Sequence, residues 1–170
     1  CAAFMLPCQE ISASVTTIGR QMIEETKNYV ETHYNGSRVI YGDTDSVMVI
    51  FDTTKEITVE DKLKKSFELG EDAADNITKI FKNPIELEME KCYYPYLLFA
   101  KKRYAGQMFT KPEKPDYIDV KGLELVRRDN PEFVKDVSKD VLDIIMKEQN
   151  TQKAIEYVRS FSKKLLNNQI

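Results

Sequence analysis

From Ile11 to Tyr34 apolar residues return every three or four positions, at Ile11, Val15, Ile18, Met22, Ile23 and then Tyr29 with Val30. That period predicts one long amphipathic helix. Asn35-Gly36-Ser37 is a turn sequence, and beyond it the period changes: Val39 to Tyr41 and Val47 to Phe51 are β-branched and aromatic runs, the pattern of two strands. Between them stand Gly42-Asp43-Thr44-Asp45, so the strands are expected to form a hairpin whose tip carries two acids. A second helix is predicted from about Val59 to Phe81, with Leu63, Phe67, Leu69, Gly70, Ala73, Ala74, Ile77, Ile80 and Phe81 facing inward and Lys82-Asn83-Pro84 closing it.

From Ile85 the chain alternates, Leu87 and Met89 against Glu86, Glu88 and Glu90, which predicts two or three strands running on to Phe109 with a break near Pro95. Residues 110–117 read as a loop. Ile118 to Val120 read as a short strand ending in a turn at Lys121-Gly122, Asn130-Pro131 opens a helix reaching about Glu148, and Ala154 to Leu166 forms the last. The order implies an α+β fold: an antiparallel sheet with the hairpin flanked by two long helices, then a helical tail.

At 170 residues and 42% apolar content the chain suits one globular domain or a large piece of a bigger one. No apolar run approaches the roughly 20 residues of a membrane span, and the N-terminus lacks the layout of a signal peptide, so a soluble intracellular chain is expected. Cys1, Cys8 and Cys92 are odd in number and form no C-x-x-C pair, which indicates neither a disulfide framework nor a zinc site. The net charge of -3 selects no partner, but its distribution is uneven: between Lys101 and Arg128 eight Lys/Arg stand against four Asp/Glu. These cations interleave with aromatic and glycine residues, which suits a groove that follows a phosphate backbone; a solvated surface is the plainer alternative.

Two carboxylates at positions i and i+2 of a tight turn repel each other unless a cation, a proton or a hydrogen-bond network compensates. Asp-Thr and Asp-Ser are ordinary turn formers. The sharper alternative is a hard divalent cation such as Mg²⁺, with one of Glu86, Glu88 or Glu90 as a third carboxylate. Acids beside a basic strip are what phosphoryl transfer requires, metals for an oxygen nucleophile and a triphosphate, cations for a polyanion.

The segment YGDTDSV, Tyr41 to Val47, resembles motif C of the family-B DNA polymerases. EKCYYPYLLFAKKRYAG, Glu90 to Gly106, and KGLELVRRD, Lys121 to Asp129, resemble the rest of that family's palm and the entry to its thumb. LPCQEISASVTTIGRQMI, Leu6 to Ile23, is similar to the palm helix of the family's delta branch, which has viral as well as cellular members. The resemblance covers essentially the whole chain, with its motifs in order. It implies a partial palm over residues 1–125 and the start of a thumb over 126–170.

The resemblance further implies a template-directed DNA polymerase that adds deoxynucleotides to a primer 3′-hydroxyl in replication, using two Mg²⁺ ions for which Mn²⁺ can substitute. Asp45 would be a principal ligand of both metals, Asp43 would stand close and help position them, and Glu90 would be a further acid of the site. Lys101, Lys102, Arg103 and Tyr104 would contact the primer terminus, and Lys121, Gly122, Arg127 and Arg128 would hold the nascent duplex. Primer–template DNA and dNTP would be the partners, with a sliding clamp engaged through other parts of the polymerase and no membrane. The compartment would be the nucleus, or a viral replication compartment. The family's motif A, D-x-x-S-L-Y-P, and its motif B helix, K-x-x-x-N-S-x-Y-G, do not occur in these residues, so the chain is expected to be an internal fragment, inactive in isolation. A D-x-D metal-dependent glycosyltransferase and a non-catalytic DNA-binding relative are the competing readings. The extended cationic strip counts against the first, and intact, mutually repelling carboxylates count against the second.

Overall fold

The computed structural model describes residues 8–126 and 128–169. Helices and two small antiparallel sheets are mixed along the chain, which is the α+β class expected. Contacts divide it into two compact units, residues 1–92 and 93–170.

The first unit opens with α1, Gln9–His33, and continues through β1, Arg38–Asp43, and β2, Ser46–Ile50, which pair antiparallel as the predicted hairpin. Then comes α2, Val59–Thr78. Its start is specified locally: the Asp61 amide donates to Thr58 Oγ1 at 3.1 Å, which satisfies one open end group of the helix, while that hydroxyl donates to Asp61 Oδ2 at 2.6 Å and so fixes the capping side chain. Leu63, Phe67, Gly70, Ala73, Ala74 and Ile77 form the buried stripe of α2. Val30 of α1 meets Ala73 and Ile77 in the core, with Tyr29, Tyr34, Val39, Val49, Phe51, Phe81 and Leu87 packed around them.

The stretch after α2 departs from expectation. Residues 85–91 form no strand, although their burial alternates as the sequence suggests, Leu87 and Met89 half-buried and Glu86, Glu88 and Glu90 exposed. The partner is a helix and not a neighbouring strand: Thr78 Oγ1 accepts from the Leu87 amide at 2.8 Å and donates to the Leu87 carbonyl at 3.2 Å. Met89 meanwhile lies on Gly70, where an added Cβ would stand 2.6 Å from its sulfur. Period-2 alternation reports which side chains face a core, not what the backbone bonds to.

The second unit holds β3, Cys92–Ala100, β4, Arg103–Phe109, and β5, Ile118–Lys121, in the order β3-β4-β5. β3 passes through Pro95 without the expected break. As an edge strand it tolerates a residue that has no amide to donate. A 3₁₀ turn, Glu124–Val126, leads to α3, Glu132–Asp143, which continues as a π-helical turn, Ile144–Glu148, before α4, Thr151–Leu166. Gln149 takes a left-handed conformation between them, and the Lys153 amide donates to the Asn150 side chain that caps α4. Ala105, Leu142 and Met146 form the core that joins sheet and helices, with Leu97, Ile118, Val120, Leu123 and Leu125 around it. Cys8 and Cys92 are free thiols, half-buried, and burial pushes the Cys92 thiol up to about 12; Cys1 lies outside the described residues.

Candidate metal and nucleic-acid site

The hairpin closes with Asp43 opposite Ser46, so its tip is only Thr44 and Asp45. Thr44 has φ +57°, and the Asp45 amide donates to the Asp43 carbonyl at 2.6 Å, which makes a three-residue turn about Thr44. A β-branched residue in the left-handed region is strained, at a cost of about 1–3 kcal/mol, and such strain collects at functional sites. Local bonds hold the geometry in place. The Thr44 hydroxyl donates to Asp43 Oδ1 at 3.1 Å, the Tyr41 hydroxyl to Asp43 Oδ2 at 3.2 Å, and Ser46 Oγ to the Asp43 carbonyl at 3.2 Å. Helix α1 supports the tip from below: Gly42 lies against Ile23, and a Cβ on Gly19 would stand 3.8 Å from the Thr44 carbonyl oxygen.

The two acids are therefore not equivalent. Asp43 is half-buried and both its carboxylate oxygens accept hydroxyl donors. Asp45 is exposed, and among the described residues its carboxylate has no hydrogen-bond or ionic partner. One carboxylate is held in place and the other is open to a ligand. Mg²⁺ characteristically binds through one or two carboxylates, completing its shell with water and phosphate oxygens; the tip fits that share of a site. Glu90 does not join it: this side chain is exposed and pairs with Lys91 at 3.6 Å, and among the described residues no three His, Cys, Asp or Glu side chains gather as metal ligands. Glu86 and Glu88 are likewise exposed.

In the second unit Lys101, Lys102, Arg103 and Lys121 lie at one end of the sheet. Lys101 and Lys102 form the tip between β3 and β4, Lys102 with φ +60°. Gly122 follows β5 with φ +62°, and a Cβ there would come within 2.2 Å of the Lys102 carbonyl oxygen. Only glycine fits so close a backbone approach, which makes Gly122 the residue that joins the end of β5 to the basic tip. Arg103 and Lys121 are already engaged. Arg103 pairs with Glu124 at 2.9 Å, and Asn130 donates to the same carboxylate at 2.6 Å, while Lys121 stands 3.4 Å from Asp119. Lys101 and Arg128 are exposed and pair with no acid among the described residues. Arg127 lies outside the described residues. Tyr104 belongs to a ring cluster, 6.1 Å from Tyr93 and 5.5 Å from Tyr96 between centroids.

Sequence reasoning missed Asp119 and Glu124. Asp119 is only 5% exposed, yet ionisable; its Oδ2 accepts from the Tyr93 hydroxyl at 2.7 Å. Asp119 holds the Lys121 ammonium above its ordinary pKa, and burial together with Asp119 pushes Tyr93 up. In Ile118-Asp119-Val120 the acid lies on the strand face opposite two apolar residues, a pattern that does not by itself distinguish a buried carboxylate from a solvated one.

Among known proteins, the family model described as DNA polymerase family B matches residues 1–170. The chain is 49% identical over 172 aligned residues to the DNA polymerase delta catalytic subunit of Candida albicans, covering 97% of this chain and 16% of that protein. It is 49% identical to the corresponding subunit of Plasmodium falciparum and 48% identical to that of Drosophila melanogaster, each covering 97% of this chain and 15% of the relative. The chain thus spans about one sixth of the length of these curated relatives.

Proposed function

Because this chain belongs to DNA polymerase family B, we propose that it supplies the motif C part of the palm and the start of the thumb, residues 1–125 and 126–170, of a polymerase that adds deoxynucleotides to a primer 3′-hydroxyl on a DNA template. The observation that carries this reading is the hairpin tip, where Asp45 is open to a ligand and Asp43 is fixed by Tyr41 and Thr44. Asp45 and Asp43 would hold the divalent cations, Mg²⁺ or Mn²⁺ in its place. When bound, these ions supply Lewis acidity that eases deprotonation of an attacking hydroxyl and neutralises a triphosphate.

The chain's own residues do the rest by placement. Asp43 keeps a fixed carboxylate beside the open one of Asp45, which lowers the reorganisation the ligand set needs. Glu90, which pairs with Lys91 and is not grouped with the aspartates among the described residues, would be a further acid of the site, and any remaining ligand would come from outside these residues. Lys101, Lys102 and Arg128 would neutralise backbone phosphates, and Tyr104 would face the primer end. The family match over residues 1–170 favours this reading over the D-x-D glycosyltransferase.

The partners would be primer–template DNA, dNTP and, through parts of the full-length protein outside these residues, a sliding clamp. No helix among the described residues is long and apolar enough to cross a membrane. The relatives named above come from cellular organisms, and we place the full-length protein in the nucleus.

In the full-length protein, Asp45→Ala should abolish primer extension while leaving primer–template affinity within about twofold, because a metal ligand is lost and no phosphate contact is. Asp43→Ala should cost less. Near-normal turnover of the Asp45 variant in Mg²⁺ would return the two acids to turn formers and leave a non-catalytic DNA-binding relative as the reading.

A further inference from the structure

Asp119 is a buried carboxylate for which the proposed chemistry has no use, and burying a charge is costly unless its oxygens are engaged. Both are. Oδ2 accepts from Tyr93, whose hydroxyl is also hydrogen-bonded with that of Tyr104, and Oδ1 faces the Lys121 ammonium. The rings of Tyr93 and Tyr96 in turn fill the space over Gly106, where a Cβ would lie 2.7 Å and 3.0 Å from them. One carboxylate therefore connects two groups at the same end of the sheet: an ammonium whose side chain is 55% exposed and a tyrosine of the ring cluster. Register places them together, since Tyr104 of β4 pairs directly with Lys121 of β5.

We propose that Asp119 is a positioning residue for nucleic-acid binding, fixing Lys121 with one oxygen and, through Tyr93, the Tyr104 ring with the other. The inference rests on the polymerase reading of this chain. It makes a directional claim that charge alone contradicts. Removing a negative charge beside a DNA-binding edge should by itself tighten binding to a polyanion. If Asp119 acts by holding Lys121, its removal should weaken binding, because an untethered lysine disperses over many rotamers and loses its phosphate.

The test uses the full-length protein on one primer–template across a salt series. Asp119→Asn keeps the size and an acceptor for Tyr93 but removes the ion pair. It should weaken binding about fivefold and lower the salt slope by about one unit, the contribution of one phosphate contact. Lys121→Ala should do the same, and the double variant should bind no more weakly than Lys121→Ala alone, because both changes remove one interaction. Tyr93→Phe cuts only the ring arm, so it should weaken binding while keeping the wild-type slope. It also serves as the decisive variant if Asp119→Asn fails to fold by thermal melting. Unchanged or tighter binding by folded Asp119→Asn, additive losses in the double variant, or wild-type binding by Tyr93→Phe each overturn the proposal. Primer extension by the wild type, run alongside, tests the polymerase reading separately: an inactive wild type sinks that reading, an active one with indifferent variants sinks only this one.

Discussion

At the scale of single residues, an acid with an exposed side chain such as Glu124 competes with a polyanion for its cation, unlike the buried Asp119, which orients Lys121 and leaves its side chain largely exposed. Arg103 is engaged by Glu124, whereas Lys101 and Arg128 are exposed and pair with no acid among the described residues. In full-length protein, Lys101→Ala and Arg128→Ala should each lower the salt slope of primer–template binding by about one unit, and Arg103→Ala by distinctly less. Three equal slopes would show that the Glu124 pair opens on binding. Sequence could place all these cations on one strip but could not choose among them. The partner of Arg103 lies 21 residues away, and an exposed pair of that kind contributes only about 0.2–1 kcal/mol, too little to leave a pattern. Gly122 is a sharper case: Gly122→Ala adds a left-handed alanine and a contact with the Lys102 carbonyl, and should destabilise the protein by about 2–4 kcal/mol. Chemical denaturation measures it, and a loss under about 0.5 kcal/mol would mean that the turn relaxes freely.

At the scale of elements, both long helices and the hairpin were legible because each satisfies its period locally; the predicted and observed bounds differ by a few residues at the ends, where helices fray. The strand expected from Ile85 was not legible, for a physical reason: Leu87 and Met89 alternate inward onto α2, and a threonine hydroxyl replaces the neighbouring strand. No sequence period distinguishes those two partners. Thr78→Val keeps the shape and removes both bonds, so it should cost about 1–3 kcal/mol and release the segment that carries Glu86, Glu88 and Glu90. Amide exchange at Leu87 should rise well before that of α2. Equal protection in wild type and variant would show that apolar packing alone holds the segment.

At the scale of the whole molecule, the candidate site was legible as residue types and illegible as an assembly. Asp43 and Asp45 occupy the expected tip, but Glu90 is not gathered with them, because a ligand shared between segments depends on contacts that a period does not encode. The described surface also keeps large apolar groups exposed on α1, Ile11 at 57%, Val15 at 65% and Ile18 at 50%. A row of that kind favours association. The isolated 170 residues should therefore show no primer extension and should self-associate at micromolar concentration, which gel-based extension and sedimentation velocity check together. Robust synthesis by the isolated chain would mean that its own acids complete the site.

The approach of Gly122 to the Lys102 backbone has a consequence for genetics. Every missense codon at position 122 introduces a side chain where the neighbouring carbonyl leaves no room for one, so a screen scored on replication would recover Gly122 alleles alongside those of Lys101 and Lys121. On such a map the glycine would pass for a contact with the template, and conditional alleles there would be classed as defects in DNA handling. Their growth defect should instead track temperature and be relieved by compensating changes elsewhere that raise folding stability, a suppression pattern that loss of a phosphate contact does not produce.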